Sequence, residues 1–245
     1  MSKKFEESGA LNFKRGFRDG IPIGMGYLSV SFGFGIMAVS NGLSVFSALM
    51  ISLTNLTSAG QVAGLGIIAA GGTLIEMILA QLIINMRYAL MSISLSQKLD
   101  SSFTTPHRLL ISFSITDEVF AVAAGKSKEL NTRYMYGLMI MPIVCWSLGT
   151  FLGGVAGEIL PDRLKAALGI AIYGMFIAIF VPPARKSLGV LAVVAVSAGL
   201  SCCFRYIPAL SGISNGFSII ICTLFAAILG ALVFPVKEKA EADEQ

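Results

Sequence analysis

Charge is what this chain has least of. Of its 245 residues 13% are Asp, Glu, Lys or Arg and 55% are hydrophobic, with a mean hydropathy of +0.80. Soluble domains carry about 25% charged residues, so a water-soluble globule is excluded: it would expose most of its apolar surface. Histidine is reduced to His107, in a polar loop, which excludes a His-rich metal site. The cysteines, Cys145, Cys202, Cys203 and Cys222, lie in apolar runs without CxxC spacing and read as small apolar filler. HExxH, GxSxG and P-loop motifs are absent, so neither an enzyme nor a cofactor is expected. The formal charge of +4 has no nucleic-acid signature beside it.

What is present is a succession of apolar runs. At about 20 residues per crossing, the length accommodates seven or eight helices. The runs are continuous and too long for the roughly ten-residue alternating segments of a membrane barrel. The expected fold is an all-α polytopic membrane protein with about eight transmembrane helices, some discontinuous, near 21–40, 43–70, 72–95, 108–125, 133–157, 164–182, 186–204 and 209–235. Residues 1–20 form a basic N-terminal segment, 21–235 one transmembrane domain, and 236–245 a charged tail, solvated and disordered, with Glu241, Asp243 and Glu244. With N and C termini inside, twelve Lys and Arg (Lys3, Lys4, Lys14, Arg15, Arg18, Lys126, Lys128, Arg133, Arg185, Lys186, Lys237, Lys239) face the cytoplasm. Five (Lys98, Arg108, Arg163, Lys165, Arg205) face outward.

The third span holds Asn85-Met86-Arg87-Tyr88. A guanidinium at membrane depth costs at least ~2.5–3.5 kcal/mol on insertion scales, so it faces the protein interior and finds a partner. Thr116-Asp117-Glu118, at similar depth in the fourth span, supplies two acids that diverge by about 100° on a helix. One meets the arginine and the other needs water, a proton or a cation. Burial favours the neutral form of a carboxylate, as proton coupling requires. Asp117 is the expected partner of Arg87 and Glu118 the titrating group, although the swapped assignment also fits. On the same span Gln81, Asn85, Tyr88, Ser92 and Ser96 lie within about 80° of one another and form a polar stripe, with Arg87 about 120° away. Glu76 lies near Arg87's face and can snorkel to the interface.

The second span contains Asn55-Leu56-Thr57-Ser58-Ala59-Gly60-Gln61, with Thr54, Ser58 and Gln61 on one helical face. So many hydrogen-bonding groups around a glycine suggest a discontinuous helix whose freed backbone amides and carbonyls hold a substrate. The alternative is a polar seam between helices. Ser31-Phe32-Gly33-Phe34-Gly35, and Ser211, Gly212, Ser214, Asn215 and Gly216 after Pro208, either complete a pocket or serve packing. Gly149, Gly153 and Gly157 form a small-residue row for a neighbouring helix or a partner subunit. The two halves show no convincing sequence match.

Thr57-Ser-Ala-Gly-Gln61, Asn85-Met-Arg-Tyr-Ala-Leu-Met-Ser92, Thr116-Asp-Glu-Val-Phe-Ala121, Gly20-Ile-Pro22 and Phe32-Gly-Phe-Gly35 together resemble the signatures of the AzlC/YgaZ-type branched-chain amino acid exporters. The resemblance is strong over the first half of the chain and rests on span pattern in the second. It implies proton-driven export of leucine, isoleucine, valine and related apolar amino acids across a bacterial plasma membrane. It also implies a second, small membrane subunit of the AzlD/YgaH type. Many such proteins carry histidine after the arginine where this chain has Tyr88, which would shift proton handling to an acid such as Glu118. Asn55, Thr57, Ser58, Gly60, Gln61, Gln81, Asn85 and Tyr88 are the expected substrate-binding residues, and Arg87, Asp117 and Glu118 the coupling and ion-pair residues. A channel, an intramembrane enzyme using the two acids, and a non-transporting partner subunit are the alternatives.

Overall fold

A computed structural model describes residues 11–210 and 212–234. Lys3, Lys4, Ser211 and the expected charged tail at 236–245 lie outside the described residues, as does the first half of the expected N-terminal segment. The described chain is helical: α1 (Phe13–Ser40), α2 (Val45–Thr54), α3 (Ser58–Ala69), α4 (Leu74–Ser96), α5 (Thr105–Ser112), α6 (Asp117–Ala124), α7 (Thr132–Ile159), α8 (Asp162–Gly169), α9 (Ala171–Lys186), α10 (Leu188–Tyr206) and α11 (Asn215–Val233). Five of these, α1, α4, α7, α10 and α11, are long and apolar enough to cross a membrane. The chain divides into two compact units. One comprises residues up to Leu65 and Ile84–Tyr173, and the other Gly66–Ile83 and the chain from Gly174 onward.

The first unit is built on α1 and α7. Each is 28 residues long, and each starts on an asparagine whose Oδ1 accepts a backbone N–H three residues on, 2.9 Å at both Asn12–Arg15 and Asn131–Tyr134. Gly16 lies on Tyr134, Gly20 on Leu138, Gly24 on Met141, Gly35 on Thr150, and Gly157 on Ile36. Contacts that rise in step along both chains mean the helices run parallel. A Cβ at Gly16, Gly35 or Gly153 would strike the partner's backbone, which is why small residues occupy this seam. The Gly149–Gly157 row is therefore spent on α1 rather than left for a partner subunit. Phe32-Gly-Phe-Gly35 remains helical and packs instead of opening. α1 also begins eight residues before the expected span, so 13–20 belong to it.

The fourth expected span does not cross. His107 Nδ1 lies 2.8 Å from the Tyr136 hydroxyl, near the start of α7, while Thr116 lies against Tyr27, halfway along α1. Beyond α6 the chain is back where it began: Leu130 N–H donates to Lys98 C=O (2.7 Å), Asp100 N–H to Leu130 C=O (2.9 Å), and Lys98 Nζ to Ala124 C=O (2.6 Å). α5 and α6, each about 12 Å long, are the arms of a re-entrant hairpin with its tip at 113–116. Asp117 and Glu118 cannot sit mid-helix at that depth without cost. In the first turn of α6, after the Thr116 cap, they meet the positive end of the helix dipole. One consequence corrects the loop assignment: Lys98 and Arg108 lie at the same end as Lys126, Lys128, Arg133 and the start of α1, where Asp19 pairs with Arg15 (3.5 Å) and Lys126 (2.7 Å).

The second expected span is discontinuous, with α2 and α3 separated at 55–57. The break removes Thr54 from the face of Ser58 and Gln61; its hydroxyl donates to Met50 C=O instead (2.7 Å). The sixth expected span is divided at Ile170 between α8 and α9.

In the second unit, α10 and α11 pack antiparallel, with Gly189 against Phe234 and Gly230 against Val193. Glu76 does not snorkel. It is 3% exposed and accepts from the Ser214 hydroxyl and the Gly216 N–H, both at 2.7 Å, at the N-terminus of α11. Ser214 and Gly216 thus serve this anchor.

A membrane-impermeant maleimide should label Ser101→Cys and Lys128→Cys from one face of the membrane and Asn41→Cys from the other, in a cysteine-free background. Labelling of 101 and 128 from opposite faces would restore a crossing fourth span.

Candidate functional site

Two interruptions of the helices meet at mid-depth in the first unit. A small cleft is lined by Leu56 and Ser58 from the α2–α3 break, Thr116, Asp117 and Glu118 from the hairpin tip, Tyr27 from α1, Tyr88 from α4, and Trp146 from α7. The tip closes its own backbone, as membrane depth demands: Ser114 N–H donates to Ile111 C=O and Thr116 N–H to Ser114 C=O, both 3.0 Å. Across the cleft, the Thr57 hydroxyl donates to Asn55 Oδ1 (2.9 Å), and α3 starts with Gln61 N–H on Thr57 C=O (2.8 Å).

Arg87 Nη1 lies 2.8 Å from Asp117 Oδ2, with both side chains about one third exposed. Its Nη2 donates to the Tyr88 hydroxyl (2.9 Å), and the guanidinium sits 4.8 Å from the centre of the Tyr88 ring. The 120° separation expected between Arg87 and the polar stripe is thus bridged, because the long arginine side chain folds over its neighbour's ring. Glu118 takes a different partner. The Tyr27 hydroxyl contacts both Glu118 Oε2 and Thr116 Oγ1, the latter at 2.7 Å. A phenol has one proton to give; the carboxylate is the stronger acceptor, which leaves Thr116 as donor to Tyr27.

The Tyr27 ring meets Trp146 edge-on, centroids 5.1 Å apart. From Trp146 a buried chain of hydrogen bonds leads away: Nε1–H donates to Gln61 Oε1 (2.8 Å), Gln61 Nε2 donates to Ser52 Oγ (2.9 Å), and Ser52 shares a proton with Thr150 (2.7 Å). Gln61 is 2% exposed, so its amide is committed to this chain and does not line the cleft.

Of the expected substrate residues, Ser58 and Tyr88 line the cleft. Asn55 and Thr57 shape the break, and Gly60 is buried behind it. Gln81 and Asn85 are not among the lining residues; Gln81 Nε2 contacts Met77 Sδ at 3.8 Å in the second unit. Tyr27, Trp146, Ser52 and Thr150 were not expected. Aromatic and hydroxyl side chains inside apolar helices look like core in a sequence, and only their pairing distinguishes them. Among the described residues, no three His, Cys, Asp or Glu side chains are grouped to hold a metal.

The AzlC protein family matches residues 22–160, which contain this site. The chain is 26% identical to the inner membrane protein YgaZ of Escherichia coli, covering 91% of this chain and 90% of that one. It is 33% identical to a protein of Archaeoglobus fulgidus described as an uncharacterized membrane protein, over 69% and 75% of the two chains. A similarly described Helicobacter pylori protein is 27% identical over 60% and 67%. No solved structure matches the chain.

Gln61→Leu should leave the buried Trp146 N–H without its partner, at about 1–3 kcal/mol, and cut the link to Ser52, which keeps only Thr150. The expected result is a thermal midpoint several degrees lower, followed by the emission of Trp146, the only tryptophan; an unchanged midpoint would mean the chain of hydrogen bonds is not holding α3 to α7.

Proposed function

The chain belongs to the AzlC protein family, and from that premise we propose that it is the large subunit of a two-component secondary exporter of branched-chain and related apolar L-amino acids. It works in a bacterial plasma membrane, with the N-terminal end of α1 in the cytoplasm, together with a small AzlD/YgaH-type membrane subunit, and is driven by inward proton movement. The observation that carries this reading is the mid-depth cleft, where two helix breaks bring an ion pair and a second, separately bonded carboxylate together.

The cleft has complementary sides for a zwitterion. The acids in its first turn compensate the dipole of α6, whereas α3 has none there, so the first-turn amides of α3 suit a substrate carboxylate. Asp117 and Glu118 suit the ammonium. Leu56 and Trp146 offer apolar surface to the side chain. Proton transfer falls to Glu118: its hydrogen bond from Tyr27 breaks when the carboxyl is protonated and turns away, and the ammonium can then leave. The accessible cavity, about 10 Å³, holds about one water. A leucine requires the two breaks to separate, the behaviour of an alternating-access carrier and not of an open channel. The gathering of Lys14, Arg15, Arg18, Lys98, Arg108, Lys126, Lys128 and Arg133 at one end supports the orientation.

The test is counterflow of labelled leucine in proteoliposomes holding both subunits. Arg87→Ala should abolish it. Glu118→Gln should keep counterflow but slow proton-driven accumulation at least about a hundred-fold, the low end of what a positioned proton-transfer group contributes to a rate. If Glu118→Gln and Asp117→Asn both leave accumulation intact, the coupling assignment fails. If folded protein shows no counterflow in any combination, the carrier reading fails.

A further inference from the structure

A larger cavity in the first unit lies outside the central cleft. It measures about 260 Å³ and is lined by Ser92, Ile93, Leu95 and Ser96 of α4, Leu99 and Phe103 of the following loop, and Arg108, Ile111, Ser112 and Ile115 of the hairpin. It runs from the hairpin's open end, where Arg108 stands, to its tip, where Ile115 adjoins Thr116 of the cleft. Its walls are apolar except at defined points. Arg108 uses Nε to reach Phe103 C=O (3.4 Å), and among the described residues no carboxylate lies within salt-bridge distance of it. Ser96 and Ser112 donate their hydroxyl protons to Ile93 C=O (2.6 Å) and Leu109 C=O (2.9 Å), leaving oxygen lone pairs that can accept but not give.

We propose that this cavity is a second substrate site, a waiting position for an apolar amino acid on its way to the central cleft, and this rests on the exporter reading. Arg108 pairs with the carboxylate, as a planar guanidinium does best. The Ser96 oxygen accepts from the ammonium, and Ser112 stands on the opposite wall. Leu95, Leu99, Phe103 and Ile111 enclose the branched side chain. The volume takes a leucine whole but only part of a lipid acyl chain, and the cavity ends beside the cleft that is too small to admit substrate in this conformation. The two sites thus offer successive positions along one arm of the hairpin.

The probe is L-leucine, and the reporter is Ser112→Cys in the full chain with its other cysteines replaced by serine, reconstituted with the small subunit. Leucine at ten times its dissociation constant should slow alkylation of residue 112 by N-ethylmaleimide about ten-fold, by mass action. Arg108→Gln should remove the protection. Ser96→Trp, at an exposed wall position, should fill the cavity and slow alkylation without leucine. If leucine counterflow persists but leucine never protects residue 112, the second site does not exist and the exporter reading stands. Protection that survives Arg108→Gln unchanged would overturn the carboxylate assignment. Alkylation set by phosphatidylglycerol content and not by leucine would make the occupant an acyl chain and overturn the proposal. Protection by leucine in a protein that shows no counterflow would keep the site and remove the exporter reading.

Discussion

A guanidinium halfway through a membrane has to be answered from within the protein, and much of the first unit can be understood from how Arg87 is answered. The acid must arrive at the same depth, yet an aspartate in the middle of a continuous apolar helix would be as costly as the arginine it serves. Ending a helix at mid-depth resolves this. Asp117 and Glu118 then occupy a first turn, where the helix dipole favours negative charge and Thr116 supplies the cap. A helix that starts at mid-depth needs a chain that comes in and goes back, hence the hairpin. The hairpin in turn needs a rigid wall, which the glycine seam between α1 and α7 provides.

That wall also fixes the height of the site. Because α1 and α7 run parallel and in step, Tyr27 and Trp146 fall at the same level and meet edge to face. Tyr27 reaches the hairpin through Glu118, and Trp146 reaches α3 through Gln61. The two interrupted segments are thereby tied to one aromatic pair, and each carries a different kind of handle into the cleft: an uncompensated helix end from α3, and carboxylates from α6. A change at Glu118 is felt first by Tyr27, whose ring is the neighbour of the tryptophan that holds α3. Under the proposed reading, this short path is how a proton on one side of the cleft influences the grip on substrate at the other.

The parts of this arrangement legible in the sequence were those that violate a rule. Arg87 and the two acids stand out because charge is scarce in apolar runs, and the 55–57 break shows through its crowd of hydrogen-bonding side chains. The direction of the chain after a break was not legible. Residues 105–124 are as long as a crossing helix and apolar enough to resemble one, and hydropathy carries no sign for a reversal. Only the pairing of Leu99 with Leu130 and the reach of Lys98 to Ala124 reveal it. Glu76 misled for a related reason. An acid near a helix start resembles an interface residue, and its real partner, the start of α11, lies 138 positions away in the chain.

The reversal has a further consequence for charge. With a crossing fourth span, Lys98 and Arg108 would weigh against the basic cluster at 126–133. With a hairpin they join it, and the two ends of the first unit differ more sharply in basic residues than they would with that crossing. The hairpin thus brings basic residues to the end where the proposed substrate, a carboxylate-bearing zwitterion, would first be met. Among these, Arg108 lines a cavity. Lys126, by contrast, is paired with Asp19. An end rich in cations with one of them lining an apolar chamber can draw in a carboxylate and then select for the side chain attached to it. Charge acts at range and carries little information about shape, whereas the apolar walls act only on contact. A substrate that satisfies both must be small, apolar and anionic at one end.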